Sequence, residues 1–443
     1  MSAGRFARWR GHAVVGALFS LVIKVGGSVS ALAMFALASW TLDSAAFGDL
    51  VIVFNIVSLA AVAAVLGQDT LIQRSWGEYV EKDPERARGA VVFGVVVTLL
   101  GAATAALAFV GWASIDGRLT ALQTAVVTGF LVSQTLLHFT ANLARVVCGA
   151  RRSEPPRELF WRLPLVVGLG TAAATGGHAS IVTFFAVASI AQFLGIGHLA
   201  VTIAAALPAS IRAARARPST REWIRRSATM TSAAISEAAH QYADVILIGH
   251  VLGSSSAAGY FVVMRIANIF SMLTSGIHTY SASKVSQLYF VGRLAELRRL
   301  ISQIMLLTLV LVTLLFAAIA FEGPALLSVF GAQYRDLHAE LVMMSLVTCY
   351  ATLAGPGPLL MLTMGADLLY LKLIVIALGI RIAGLLVLAP MFELRGAILA
   401  VALAVVPLVT ITTILCIRRL GVDPSVLAVP RGEGWFGPRR QGE

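Results

Sequence analysis

The chain has 443 residues, of which 58% are hydrophobic and only 13% charged, and its mean hydropathy is +0.85. This composition excludes a soluble globular domain and points to a polytopic membrane protein. The formal net charge of +12 does not indicate nucleic-acid binding, because the basic residues stand in short runs between apolar segments and no nucleic-acid module accompanies them.

Apolar runs near the roughly 20 residues that a membrane-spanning helix needs recur about twelve times. They lie near 13–40, 48–68, 89–112, 120–146, 160–177, 180–207, 228–252, 259–281, 301–321, 337–363, 368–390 and 395–417. The first follows Arg5, Arg8 and Arg10 and is too long for the core of a cleaved signal peptide, so it reads as a membrane helix. It carries Ser20, Lys24 and Ser28 on one face, with Gly26 and Gly27 beside the lysine. Counting about 1.5 Å per residue from His12 brings Lys24 near mid-membrane. It either lines a polar cavity or snorkels to an interface.

The fourth run carries Gln134, His138, Asn142 and Arg145 as a polar stripe. Such a stripe either holds helices together through hydrogen bonds or lines a pathway. The fifth contains Pro164 and a Gly-rich stretch, Gly168 to Gly177, which no β-strand precedes, so it is not a dinucleotide loop. Six arginines (Arg212, Arg215, Arg217, Arg221, Arg225 and Arg226) then fill the connection 208–226.

The seventh run is the most polar of the set. Glu237, His240, Gln241 and Asp244 fall at i, i+3, i+4 and i+7, one face of a helix, and that face must look at protein or water rather than lipid. The eighth carries Arg265 and Asn268, and the eleventh carries Lys372 near its inner end and Arg381 deep within it. Gly355-Pro356-Gly357-Pro358 in the tenth is either a hinge or a fixed kink.

Orientation follows from the basic residues. With both termini in the cytoplasm, the inner segments hold 28 of the 34 Lys and Arg, and the outer loops hold only Arg118, Arg335 and Arg395. Lys24, Arg265 and Arg381 remain within membrane runs. The three cysteines, Cys148, Cys349 and Cys416, have no metal or disulfide spacing, and no phosphate-binding loop is present, so neither a metal, a cofactor nor ATP hydrolysis is expected. The expected organisation is an N-terminal six-helix lobe (1–207), a basic connection (208–226), a C-terminal six-helix lobe (227–417) and a cytoplasmic tail (418–443). Six helices per half returns the chain to the same side, so the two lobes are related by a pseudo-twofold along the membrane normal, with the path between them.

A basic, water-filled cavity suits an anionic substrate, and phosphate or pyrophosphate fits best because arginine binds its oxygens through paired hydrogen bonds. Short motifs then carry a family resemblance. Phe47-Gly48, Gly67 and Arg74 mark a first hairpin. Asp244 to Gly249, Gly259-Tyr260-Phe261 and Arg265 mark a second. Val329-Phe330-Gly331 with Tyr334, and Ala389-Pro390 with Gly396-Ala397-Ile398-Leu399-Ala400, follow in order. In these the chain resembles the bacterial polysaccharide (O-antigen) repeat-unit flippases, within the superfamily that includes the multidrug and toxic-compound extruders. It departs from that pattern at Leu42-Asp43, where Leu-Gly is usual, and at Asp49-Leu50, which lacks the common tyrosine.

The resemblance implies an all-α fold with a central cavity like that of the multidrug extruders. It further implies a transporter rather than an enzyme, in the bacterial inner membrane. Alternating access would move an undecaprenyl-pyrophosphate-linked oligosaccharide for exopolysaccharide, capsule or O-antigen synthesis, with the polymerase and export machinery of that pathway as partners. Lys24, Arg74, Arg145, Arg265, Asn268 and Arg381 are the expected substrate ligands. Glu237, His240, Gln241 and Asp244 form an expected coupling or gating face. The competing readings are an ion-coupled multidrug exporter of the same superfamily and, from another class, a membrane enzyme acting on the same lipid carrier.

Overall fold

The structure is a computed structural model that describes residues 3–272, 285, 287–289, 291–363 and 366–429. The tail beyond 429 lies outside the described residues. Among the described residues the secondary structure is helical throughout, with no strand. The chain divides into two compact units, 1–246 and 247–443.

Short polar caps set the helix boundaries of the first unit. Helix α1 (Ala3–Thr41) ends just before Asp43, whose carboxylate accepts the Ala46 N–H and starts α2 (Ser44–Ala64). The aspartate that departs from the flippase pattern is therefore an N-cap. Gly67 in the left-handed region turns the chain into α3 (Gln68–Tyr79). Asp83 and Pro84 then start α4 (Pro84–Asp116), the aspartate capping the helix and the proline occupying its first position, where no N–H is needed. Reciprocal capping boxes, Thr120 with Gln123 and Ser180 with Thr183, open α5 (Ala121–Cys148) and α8 (Ile181–Ala206).

Between α5 and α8 the chain runs through α6 (Ala150–Pro155), a π-helical turn (Pro156–Phe160) and α7 (Arg162–Ala174). Two adjacent prolines remove two successive backbone donors, and the ladder widens into the π turn. The segment between the fourth and fifth apolar runs is thus helical over most of its length. After the short α9 (Ala209–Ala213) comes α10 (Thr220–Val251), unbroken through Glu237 and Asp244 as the periodicity predicts.

An aromatic cluster holds this unit together. Phe35, Phe54, Phe130, Phe184 and Phe185 interlock with centroid separations of 5.1 to 6.2 Å, and Trp161 joins at 6.0 Å from Phe130. Apolar side chains on the outer faces stay exposed, Ile115 at 88% and Leu107 at 75%, as lipid-facing positions do.

The second unit contains α11 (Ser254–Ala267), α12 (Leu294–Ser328), α13 (His338–Leu353), α14 (Gly357–Thr363) and the long α15 (Asp367–Leu420). Phe392 and Glu393 leave helical geometry inside α15, so it is two spans joined at a tight turn, matching the eleventh and twelfth apolar runs. Its core packs Leu297, Ile301 and Met305 of α12 against Leu360, Met361, Cys416 and Val422.

Among the described residues, eight helical stretches are long and apolar enough to cross a membrane. One of them, Leu368–Arg419, holds two spans across its kink. The other expected spans correspond to α7, which is only 13 residues long, to the charged α10, and to α11, beyond which description stops at Met272.

Candidate functional site

The expected site residues are distributed over both units. In the first unit, Gly27 lets α1 approach the π turn closely. A Cβ at Gly27 would stand 3.0 Å from the Glu158 Cβ and 3.3 Å from the Arg162 guanidinium. Lys24 lies one turn earlier on the same face of α1 and so meets the same region. There it lines a cleft of about 140 Å³ together with Ala141, Arg145, Ser153, Glu154, Arg157 and Glu158.

Arg145, at the last turn of α5, donates to Glu154 at 3.1 Å. Glu158 is shared by Arg162 at 3.0 Å and Arg157 at 3.7 Å. Arg162 also lies over the Trp161 ring at 4.7 Å. The structure therefore brings together two of the expected substrate ligands, Lys24 and Arg145. It adds Glu154, Arg157 and Glu158, which sequence reasoning passed over as loop residues. The Pro155-Pro156 pair within an arginine- and glutamate-rich segment was the available signal.

Arg74 goes elsewhere. It pairs with Glu78 at 2.9 Å, and Glu78 in turn binds Arg226 at 3.0 Å, which also meets Glu222 at 2.7 Å. Hydrogen bonding to Glu78, the largest contribution, raises the Arg226 pKa further, so its charge is permanent. Beside this cluster, fully buried Trp223 packs on Tyr79 and Phe93. The connection 208–226 is tied down as well. Arg217 binds Asp83 at 2.6 Å, its backbone N–H donates to the Glu85 carbonyl, and Arg88 reaches the Ile211 and Arg212 carbonyls.

The polar stripe of α5 makes hydrogen bonds between helices. Gln192 donates to Gln134, Ser133 donates to Gln192 at 2.6 Å, and Asn142 accepts from Gln73 at 2.9 Å. Only its Arg145 end opens on the cleft. On α10, Asp244 is buried, His240 is half-buried, and Glu237 and Gln241 are exposed. The predicted face is thus continuous in sequence and graded in burial.

In the second unit, Arg265 on α11 places its guanidinium over the Phe261 ring at 4.8 Å, and Asn268 caps the same helix half-buried. Arg381 is buried at 8% exposure within α15. A cation at that depth requires protein or water around it, since lipid solvates it poorly. Among the described residues, no group of histidine, cysteine and acidic side chains is arranged to hold a metal.

This helical architecture is that of the multidrug and toxic-compound extruders, the MATE fold. An inward-facing multidrug resistance MATE family transporter of the MOP superfamily superposes with a TM-score of 0.69 at 15% identity, over 91% of this chain and 98% of that one. An outward-facing MATE transporter gives 0.65 at 14% identity, over 92% and 95%. A MOP superfamily transporter from Pyrococcus furiosus, described as having a binding pocket of reverse polarity that suggests a different function, gives 0.63 at 14% identity, over 92% and 95%. No protein-family model and no curated protein sequence matches the chain.

Proposed function

We propose that this protein is a flippase that carries an undecaprenyl-pyrophosphate-linked oligosaccharide across the bacterial inner membrane by alternating access. The observation that carries the reading is the set of basic side chains within the membrane helices and at their ends: Lys24 and Arg145 in the first unit, Arg265 and Arg381 in the second. Keeping such charges in an apolar helix is costly unless they serve a substrate or a partner. A basic path attracts phosphate oxygens and repels organic cations. The MATE fold agrees with transport, and the description of the Pyrococcus furiosus relative indicates that pocket polarity differs between transporters of this fold.

In this reading Lys24, Arg145, Arg265, Asn268 and Arg381 hold the head group. Glu237, His240, Gln241 and Asp244 couple the cycle to an ion or gate it. Arg74, tied to Glu78, supports the Arg226 cluster and does not touch substrate. Polymerase and export proteins of the same pathway are the proposed partners.

The second reading is an ion-coupled multidrug exporter. It is favoured by buried Asp244 and by the multidrug resistance function named for the relatives. A deletion strain separates the two. Lipid-linked oligosaccharide accumulating on the cytoplasmic face, with unchanged tolerance to cationic dyes, is the expected outcome. A normal oligosaccharide distribution with dye hypersensitivity would establish the exporter instead.

A further inference from the structure

The cleft between α1, α5 and the π turn has an unbalanced charge. Among the described residues, Lys24, Arg145 and Arg157 on its wall, with Arg162 bound to Glu158, face two carboxylates, Glu154 and Glu158, which leaves a surplus of two positive charges. Both carboxylates are engaged by arginines, Glu154 by Arg145 and Glu158 by Arg157 and Arg162. Lys24 makes no hydrogen bond or ion pair among the described residues, although its ammonium offers three donors. The Ser153 hydroxyl, on the cleft wall, donates back to the Ala150 carbonyl.

The volume, about 140 Å³, equals roughly four to five waters at about 30 Å³ each. That is room for one tetrahedral oxyanion with part of its hydration shell. The carboxylate of Glu154, whose side chain is only 7% exposed, fills part of the demand for negative charge from within.

We infer that this cleft is a phosphate site in which Glu154 competes with the ligand for Arg145. The inference rests on the flippase reading for its source of phosphate, the pyrophosphate bridge of the lipid-linked substrate, but the chemistry recognised is the oxyanion itself. A phosphate entering the cleft takes the Lys24 ammonium and the Arg157 guanidinium, and displaces Glu154 from Arg145. When it leaves, Glu154 closes the pair again. The internal carboxylate thus reduces the surplus of charge in the empty cleft and limits how tightly the phosphate is held, as a transport step requires.

This competition predicts effects of opposite sign. The experiment is thermal unfolding of the purified full-length protein in detergent, titrated separately with inorganic pyrophosphate and with farnesyl pyrophosphate. Wild type is stabilised, and Lys24→Gln weakens the apparent affinity about ten-fold or more, with Lys24→Arg retaining most of it. Arg157→Gln weakens it likewise. Glu154→Gln strengthens it several-fold, because Arg145 loses its competitor.

Stabilisation by both probes identifies the free oxyanion as sufficient, whereas stabilisation by farnesyl pyrophosphate alone, lost in Lys24→Gln, identifies the lipid-linked form. Two outcomes overturn the inference: stabilisation by neither probe, or stabilisation that Lys24→Gln and Glu154→Gln leave unchanged. A Glu154→Gln variant that binds more weakly than wild type would also overturn it, by making the Arg145–Glu154 pair purely structural. The flippase reading is judged separately. If Arg265→Ala and Arg381→Ala abolish export while Lys24→Gln is silent in both assays, the cleft is off the path and the flippase reading stands. If a deletion strain distributes lipid-linked oligosaccharide normally, that reading fails whatever the cleft binds.

Discussion

Gly355 shows how a single residue decides between two readings left open by the sequence. Its φ of +81° lies in the region that favours glycine, and a Cβ there would stand 1.8 Å from the Pro424 carbonyl oxygen. The break between α13 and α14 is therefore closed against the segment that follows α15, which fits a fixed kink better than a free hinge. Gly355→Ala is expected to lower stability by on the order of 2 kcal/mol or more, seen as reduced abundance in the membrane and a lower unfolding temperature in detergent. Unchanged stability would mean that the C-terminal segment is not seated there. Gln192 makes a similar point about polar residues. Fully buried and bonded to both Ser133 and Gln134, it joins α8 to α5, so polarity inside the membrane here builds the scaffold and need not mark a path.

At the scale of elements, the connection 208–226 is a strap fixed at several points. Asp83 is its acidic anchor. The Arg86 backbone N–H, and then the Arg217 guanidinium, hold its pKa below the ordinary value of 3.8. A lowered carboxylate pKa favours the folded, ionised state above the unfolded value, and that contribution disappears as pH falls through the folded value. The strap is thus expected to stay protected from pH 8 down to about 4 and to open only in stronger acid. Hydrogen exchange of residues 208–219 across a pH series checks this, and opening at pH 6 would contradict it. The π turn at Pro156–Phe160 is the other informative element. Its widened backbone, forced by two prolines, sets Glu154, Arg157 and Glu158 around the cleft where a regular helix would space them differently.

For the whole molecule, the testable consequence of the charge distribution is orientation. Arg215 is exposed within the strap, so Arg215→Cys is expected to react with a membrane-impermeant thiol reagent in inside-out vesicles and not in intact cells. The reverse pattern would invert the topology, and with it the direction of transport argued above.

The sequence alone determined the class of the molecule: a composition that only a bilayer solvates, periodic apolar runs of spanning length, and an arginine bias that implies an orientation. These are properties of chain segments, and each segment reports them independently of its neighbours. The polar face of α10 was legible for the same reason, since i, i+3, i+4 and i+7 is a local pattern. Tertiary structure decided what long-range pairing decides. It joined Lys24 to Arg145, some 120 residues away, through a close approach at Gly27, and paired Arg74 with Glu78, which Arg226 also binds. It turned the α5 stripe into hydrogen bonds between helices. Such pairings depend on which helices pack together and at what depth, and a charge in a sequence carries no record of the partner that neutralises it.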